Sequence, residues 1–232
     1  MDELRLLVFV VRQIWFRQND FVFNGEFRPL EKLVQVDRLQ MEQYDQATAS
    51  WDKEVLNMGN TCTRIYVRWM KPPVGVVKIN WDAAVDERIG SVGLGTIARD
   101  HEGRVLAMHC STCKHIYNPT TAETLVSWKA VVLGVQLGVI YLEVEGDAKE
   151  VVNGLNCASH CLGRKRPVLN DIKTLLQSFN TWKVTHVNRG TNGAAHTLAR
   201  LVLSGGEDRI WFENFPTSVQ EIVSVEQTQI IN

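Results

Sequence analysis

The fold is decided by the stretch Val76-Val77-Lys78-Ile79-Asn80-Trp81-Asp82-Ala83-Ala84, in which apolar and polar side chains alternate. A period of two is typical of a β-strand with one face against a core, and Val77, Ile79 and Trp81 would form that face. Asp82 falls on the opposite face. Because aspartate is depleted in strands, Asp82 either ends the strand and starts a turn or belongs to a functional site.

The segments that follow this strand predict a mixed α/β sheet. Two further strand candidates, Gly93–Asp100 and Arg104–Cys110, come after short turns, as in an antiparallel meander. The remaining candidates are a helix at 121–138, a strand at 139–146, helices at 147–156 and 167–179, a strand at Trp182–Asn188 and a helix at 192–203. The order predicts an α/β fold in which parallel strands continue the meander, giving a five-stranded mixed sheet with flanking helices.

Outside this region the signals are weaker. Apolar residues at helical spacing predict a small helical region over 1–50, and the stretch 51–75, which contains glycine and proline, predicts a linker with a short strand near 64–69. We expect the α/β domain to cover 76–205. Aromatic residues in 206–232 predict a C-terminal tail that docks on it.

Composition narrows the class of protein. The chain has 232 residues, 45% apolar residues and a formal net charge of −1, which suits a globular protein and gives no overall basic signal for nucleic acid. The apolar run at 6–11 is too short to span a membrane and follows acidic residues, which is unlike a secretory signal. Five cysteines, an odd number, favour free thiols in a reducing compartment. We therefore expect an intracellular protein, nuclear or cytoplasmic, that is not secreted, has no membrane partner and is monomeric.

Two more carboxylates are predicted to lie near Asp82. Glu123 begins the helix at 121–138, and Asp147 ends the strand at 139–146. In an open α/β sheet, sites form beyond the carboxyl ends of the strands where the strand order switches, and all three side chains would meet there. Glu123 and Asp147 also have a simpler interpretation as helix-capping residues. Thr120-x-x-Glu123 and Asp147-x-x-Glu150 both match N-terminal capping patterns.

Carboxylates gathered in one place repel one another and need cations to hold them together. Hard divalent cations prefer oxygen ligands, and two such ions can clamp an in-line attack on a phosphodiester. The residues by themselves therefore predict a metal-dependent nuclease.

The chain also resembles a known family, the ribonuclease H-like domain of plant non-LTR retrotransposon reverse transcriptases and its host-encoded relatives. The resemblance covers roughly 70–205, and residues 14–23 are similar to the tryptophan-rich segment that precedes the domain in those elements. The motifs that carry it are Pro72-Pro73-x-Gly75-x-Val77-Lys78-x-Asn80-x-Asp82-Ala83-Ala84, Gly95-x-Ile97-x-Arg99-Asp100-x-x-Gly103, Ala122-Glu123, Glu145-Gly146-Asp147 and His186-Val187-x-Arg189-x-x-Asn192-x-x-Ala195-His196-x-Leu198-Ala199.

Members of that family hydrolyse the RNA strand of an RNA–DNA hybrid, so the resemblance implies an endonuclease that uses two Mg²⁺ or Mn²⁺ ions. Asp82, Glu123 and Asp147 match three of the four metal-binding acids. By resemblance Asp82 would bridge both ions, Glu123 would hold the ion near the leaving group, and Asp147 would help to orient the attacking water. The products would carry a 5′-phosphate and a 3′-hydroxyl.

The fourth acid of the family falls on His196, which the resemblance implies as the fourth metal-binding and catalytic position. Histidine is a poor ligand for Mg²⁺, although it can bind Mn²⁺ or hydrogen-bond a water. This departure keeps a second hypothesis open: a catalytically weakened module, derived from a retroelement, that binds nucleic acid or another partner. A retroelement fragment without a selected role is a third.

Several other residues are candidates for binding. Asn118, Thr120 and Asn192 are predicted nucleic-acid contacts, and the first two could reach the 2′-hydroxyls that separate RNA from DNA. The alternative for Asn118 and Thr120 is helix capping. His186 has a spacing suited to a catalytic helper but fits equally well as a strand residue. The pairs Cys110-x-x-Cys113 and Cys157-x-x-x-Cys161 raise the alternative of zinc, and the run 164–166 that of a weak phosphate contact.

Overall fold

The computed structural model describes residues 69–88, 90–157 and 166–228. The predicted helical region 1–50, the linker residues 51–68 and most of the basic run 164–166 lie outside the described residues. So do two of the five cysteines, Cys62 and Cys161.

The secondary structure follows the predicted order with small shifts at the ends. The strands are β1 (Val76–Asp86), β2 (Ser91–Arg99), β3 (Val105–Lys114), β4 (Tyr141–Gly146), β5 (Thr181–His186) and β6 (Arg209–Trp211). The helices are α1 (Pro119–Gln136), α2 (Lys149–Asn156), α3 (Arg166–Leu176), α4 (Gly193–Leu203) and α5 (Thr217–Thr228), with a 3-10 turn at Arg189–Thr191 before α4. The strand β6 and the helix α5 lie in the segment that the sequence marks only as a docking tail.

Within the described residues the strands form one mixed sheet in the order β5-β4-β1-β2-β3-β6. The neighbours β1, β2, β3 and β6 pair antiparallel, whereas β1, β4 and β5 pair parallel. The mixed α/β fold is therefore confirmed. The expected count of five strands was one too few, because the three-residue strand β6 adds to the β3 edge and is too short to show a period in sequence.

The sheet separates two cores. On one face Ile79, Trp81 and Leu94 pack with α1 and α3, and on the other Ile97 packs with Leu198 of α4 and with α5. The alternation in β1 is as expected, since the polar residues that alternate with Ile79 and Trp81, namely Lys78, Asn80 and Asp82, turn to the opposite face. Asp82 therefore looks toward α4 while the strand's apolar side anchors it to the core.

Two glycines of β2 let α4 lie directly on the sheet. A methyl group at Gly95 would overlap the carbonyl oxygen of Ala195 and come within 2.5 Å of the amide nitrogen of Ala199, and one at Gly93 would overlap the carbonyl of Ala199. The nearest atom in each case belongs to the backbone of α4, which cannot move aside as a side chain can. These two positions thus fix the distance between α4 and β2.

A buried charged network ties the C-terminal helix to the sheet. Arg99 is 1% exposed, forms an ion pair with Glu226 of α5, and donates to Asn80 Oδ1 at 2.7 Å. The indole of Trp69 stacks on the Arg99 guanidinium, 3.6 Å from its ring centroid, and donates to the same Asn80 oxygen at 3.0 Å. Removing one partner of a buried ion pair leaves a costly unpaired charge, so this network anchors α5 to the domain.

Within the described ranges, no helix combines the length and the apolar character that crossing a bilayer requires.

Candidate metal centre

Asp82 lies inside a strand and not at a turn. The strand β1 continues four residues beyond it to Asp86, and Asp82 is only 3% exposed. The interpretation of Asp82 as a turn-starting residue is therefore wrong. A buried carboxylate in a central strand must be compensated by a partner, a proton or a cation.

The sheet register brings Asp147 beside Asp82. Trp81 of β1 is level with Gly146 of the parallel strand β4, so the next residue on each chain is an aspartate. The following helix α2 has Ala148 as its N-cap and no side-chain capping hydrogen bond, so the capping interpretation of Asp147 is also wrong. Gly146 itself allows the approach, because a methyl group there would lie 2.5 Å from Nε1 of Trp81.

Glu123 reaches the same place from the first turns of α1. The N-cap of that helix is Asn118, whose side-chain oxygen accepts from the backbone N–H of Thr121 at 3.1 Å. The helix thus begins two residues earlier than predicted, and Thr120 is not its cap. The Thr120 hydroxyl donates instead to Glu150 at 3.1 Å. The prediction that Thr120 and Glu123 form a capping box is therefore wrong. The Glu123 carboxylate belongs instead to the acidic cluster.

The three carboxylates converge as predicted. One oxygen from each of Asp82, Glu123 and Asp147 lies within 4.8 Å of the others. Burial raises the pKa of Glu123 to about 8, and the charges of Asp82 and Asp147 push it in the same direction. Burial likewise raises the pKa of Asp82 to about 6; the hydrogen bond to His196 opposes this and the charge of Asp147 adds to it. These carboxyls resist full ionisation when no cation is near.

The donor set fits a hard divalent cation. All three donors are carboxylate oxygens, which Mg²⁺ and Mn²⁺ prefer. Glu123 Oε2 is buried with no hydrogen bond of good geometry, although weaker hydrogen bonding from the Trp81 indole and the Ala83 backbone lowers the pKa of Glu123. Buried polar atoms are normally satisfied, so a buried carboxylate that lacks a strong protein partner and lies beside two others is the arrangement expected of a ligand. Within the described residues no cysteine joins this cluster, and Cys110 and Cys113 are free thiols.

His196 contacts the cluster through Asp82. Its Nδ1 lies 2.7 Å from Asp82 Oδ2, and its side chain is 23% exposed. The group of mutually close ligand atoms comprises the three carboxylates without His196. The imidazole therefore occupies one carboxylate oxygen of Asp82.

The other predicted residues take different positions. Asn118 is exposed and Thr120 is half-buried beside Glu123 at the start of α1. Asn192 is 1% exposed and donates to the carbonyl of Trp81 at 2.7 Å, a contact that ties α4 to β1. Its contact with nucleic acid stays a prediction, and its position favours a structural role. His186 ends β5, and its Nε2 lies 3.1 Å from the carbonyl oxygen of Asp147.

Sequence reasoning gave no role to Arg189. This residue opens the 3-10 turn before α4, and its positive charge lowers the pKa of Asp82. It lies in a loop, where periodicity gives no signal, and only the folded arrangement brings it near the cluster.

The fold and the acidic cluster define a ribonuclease H-like domain. The chain belongs to the reverse transcriptase-like family, whose model matches residues 80–202, more than half of its length. A comparison with curated proteins found no match.

Several solved structures of RNase H proteins are similar to this chain. The N-terminal RNase H domain of a Mycobacterium tuberculosis protein is 20% identical with a TM-score of 0.51, over 56% of this chain and 94% of that one. RNase H1 from the halophilic archaeon Halobacterium salinarum is 25% identical with a TM-score of 0.49, over 56% and 99%. LC11-RNase H1, solved with an RNA/DNA hybrid, is 17% identical with a TM-score of 0.48, over 54% and 94%.

The raised pKa values predict how pH changes the stability of the metal-free protein. Glu123 and Asp82 bind a proton more tightly in the folded state, with pKa values of about 8 and about 6, than in the unfolded chain, where carboxyls titrate near about 4. Their contribution to stability is complete below about pH 4 and is lost as the pH rises through these two values. We expect the melting temperature in EDTA to fall between about pH 5 and pH 8, and less steeply in Glu123→Gln.

Differential scanning fluorimetry of both proteins across this range measures the difference. Because groups outside the cluster titrate equally in parent and variant, the gap between the two curves reports Glu123 together with its charge coupling to Asp82 and Asp147. Mn²⁺ should restore stability most at the alkaline end, since it binds the ionised carboxylates. Parallel curves for parent and variant would contradict the shift.

Proposed function

We propose that this domain hydrolyses the RNA strand of RNA–DNA hybrids as a metal-dependent endonuclease. The observation that carries the proposal is the convergence of Asp82, Glu123 and Asp147, whose oxygens lie within 4.8 Å of one another beside the carboxyl end of the parallel strand β4. Membership of the reverse transcriptase-like family and the ribonuclease H-like fold support it. The ordered motifs of the chain also favour descent from the plant retrotransposon branch of these domains.

The three carboxylates would hold two Mg²⁺ or Mn²⁺ ions. When bound, the ions would activate water and neutralise charge on the scissile phosphate. The protein's own contribution is to hold these oxygens in place before substrate arrives. The central strand β1 fixes Asp82, and the register between β1 and β4 places Asp147 beside it. The capped start of α1 holds Glu123.

Selection of RNA is proposed to occur at the start of α1. The side-chain oxygen of Asn118 is used in capping, but within the described residues its amide nitrogen has no partner and is exposed. An N–H donor at this point can bind a 2′-hydroxyl, the group that distinguishes RNA from DNA. Thr120, half-buried one residue after Pro119, is the second candidate.

Cleavage of an end-labelled RNA–DNA hybrid by purified protein, in Mg²⁺ and in Mn²⁺, tests the function. We expect internal cuts in the RNA strand that require the metal and stop with EDTA. A duplex of DNA alone should remain intact. Folded protein that cuts no hybrid in either ion would refute the hydrolytic function.

A specific observation favours a second candidate, a nucleic-acid-binding module with little turnover. His196 stands where the family's fourth acid falls, and its Nδ1 hydrogen-bonds Asp82 Oδ2 at 2.7 Å. An imidazole adds no negative charge and occupies an oxygen needed for ligation. Binding of the hybrid without cleavage would identify this case.

The replacement His196→Asp separates the two candidates further. An aspartate supplies a hard oxygen ligand and releases Asp82 Oδ2, so Mg²⁺-supported cleavage is expected to rise by about tenfold, with a smaller gain in Mn²⁺. Initial rates in each ion measure the ratio. The control His101→Asp makes the same change in the turn before β3. No gain in Mg²⁺ would mean that His196 does not limit the reaction.

A further inference from the structure

A groove of about 720 Å³ opens beside the metal centre. The end of β1 and the turn after it, Ala83–Arg88, form one wall, and Arg189 of the 3-10 turn forms another. His196 and Arg200, one turn apart on α4, line the remaining side. Since Asp82 hydrogen-bonds His196, the groove is continuous with the acidic cluster.

The groove carries uncompensated positive charge. Arg189 and Arg200 are exposed, and neither guanidinium forms an ion pair or hydrogen bond with any residue that the structure describes. The side chain of Arg88 is 88% exposed and binds Asp86 with two hydrogen bonds, from Nε to Oδ1 at 3.3 Å and from Nη2 to Oδ2 at 3.2 Å. That pair leaves Glu87 as the one acidic lining residue against two guanidinium groups.

This charge is local, because the whole chain has a formal net charge of −1. It also lies close to the acidic cluster, since the Arg189 charge lowers the pKa of Asp82. Guanidinium groups bind phosphate oxygens through paired N–H donors and stay charged at all relevant pH values. If a nucleic-acid strand is bound with one of its phosphates at the carboxylates, a neighbouring phosphate of the same strand would therefore lie near these two arginines.

We propose that the groove binds a backbone phosphate of the nucleic-acid strand that is cut at the acidic cluster, with Arg189 and Arg200 as its ligands. This rests on the proposed function, because it names a second contact for the same substrate. Phosphate contacts fix position and carry no base information, so the groove adds affinity and register without sequence preference.

The test is equilibrium binding of a fluorescently labelled RNA–DNA hybrid in EDTA, where no cleavage occurs, at several salt concentrations. The variants are Arg189→Gln, Arg200→Gln and the double change. The matched control is Arg104→Gln, which removes the same charge in the turn between β2 and β3, near the opposite end of the sheet. Melting temperatures check folding, which exposed arginines should not affect.

Each phosphate that the protein neutralises contributes about 0.9 to the slope of log affinity against log salt. Because the two arginines share one phosphate, the double variant is expected to lose roughly tenfold or more in affinity at low salt and to flatten the slope by about 0.9. Each single variant should show about half of that change in slope. Arg104→Gln should match the parent in both quantities.

Different experimental results would contradict the phosphate-binding groove and the hydrolytic function. A parent that binds hybrid but cuts none refutes hydrolysis, while loss of affinity in the double variant still supports the groove. Parental affinity and slope in the double variant, or a parent that binds no hybrid, would overturn the groove.

Discussion

Asp82→Asn is expected to lower hybrid cleavage by more than about a hundredfold in either ion, because loss of a supporting residue alone costs 10- to 100-fold and Asp82 is a proposed direct ligand. The change is isosteric at a site 3% exposed, and asparagine keeps an oxygen that can accept from His196. It also removes a charge that repels Asp147 and Glu123. The metal-free variant should therefore melt no lower than the parent at neutral or alkaline pH.

Single-turnover cleavage rates and titration calorimetry with Mn²⁺ measure the two consequences separately. Asp171→Asn is the matched control, since it makes the same change on the exposed surface of α3, away from the cluster. Its rate and its Mn²⁺ binding should equal those of the parent. A parental cleavage rate in Asp82→Asn would rule out the assignment of the metal centre.

Gly95→Ala is expected to destabilise the domain by about 3 kcal/mol or more, which corresponds to a fall in melting temperature of roughly 6–12 °C. The added methyl group would overlap backbone atoms of Ala195 and Ala199, and a helix backbone cannot rotate out of the way. Relief requires α4 to move away from β2. Because α4 carries His196, this movement also stretches the hydrogen bond to Asp82.

Thermal and denaturant unfolding of the variant measure the loss of stability. Gly190→Ala is the control, because a methyl group there would meet no atom within 4 Å. That variant should keep the parental melting temperature or gain slightly from a less flexible unfolded chain. Equal stability of Gly95→Ala and Gly190→Ala would contradict the close packing of α4 on the sheet.

Local patterns predicted the sheet well because apolar and polar side chains alternate along β1, although both faces of that strand are buried. The alternation in 76–84 placed Asp82 on the face opposite Ile79 and Trp81, and the order of strands and helices implied that Asp147 and Glu123 would gather nearby. The same patterns could not decide whether those two acids cap helices. In the structure Asn118 caps α1, so Glu123 is not part of a capping box. Sequence could not predict this, because asparagine and threonine differ little in the free energy with which they cap a helix.

The tail shows a different limit of local reasoning. A strand of three residues, Arg209–Trp211, has no visible period, and it forms because Met108–Cys110 of β3 offers an unpaired edge. Lys78 and Arg99 are charged residues that sequence would place at the surface. They are 3% and 1% exposed because carboxylates from distant segments pair with them.

The sequence by itself determined the strand and helix order, the side of the sheet on which Asp82 lies, and the three carboxylates of the candidate metal centre, because these depend on periodicity within short segments. Only the tertiary structure decided the hydrogen bond from His196 to Asp82 and the groove that brings Ala83–Arg88 beside Arg189 and Arg200. Those contacts join residues far apart in the chain, and they exist because glycines in β2 let α4 lie against the sheet.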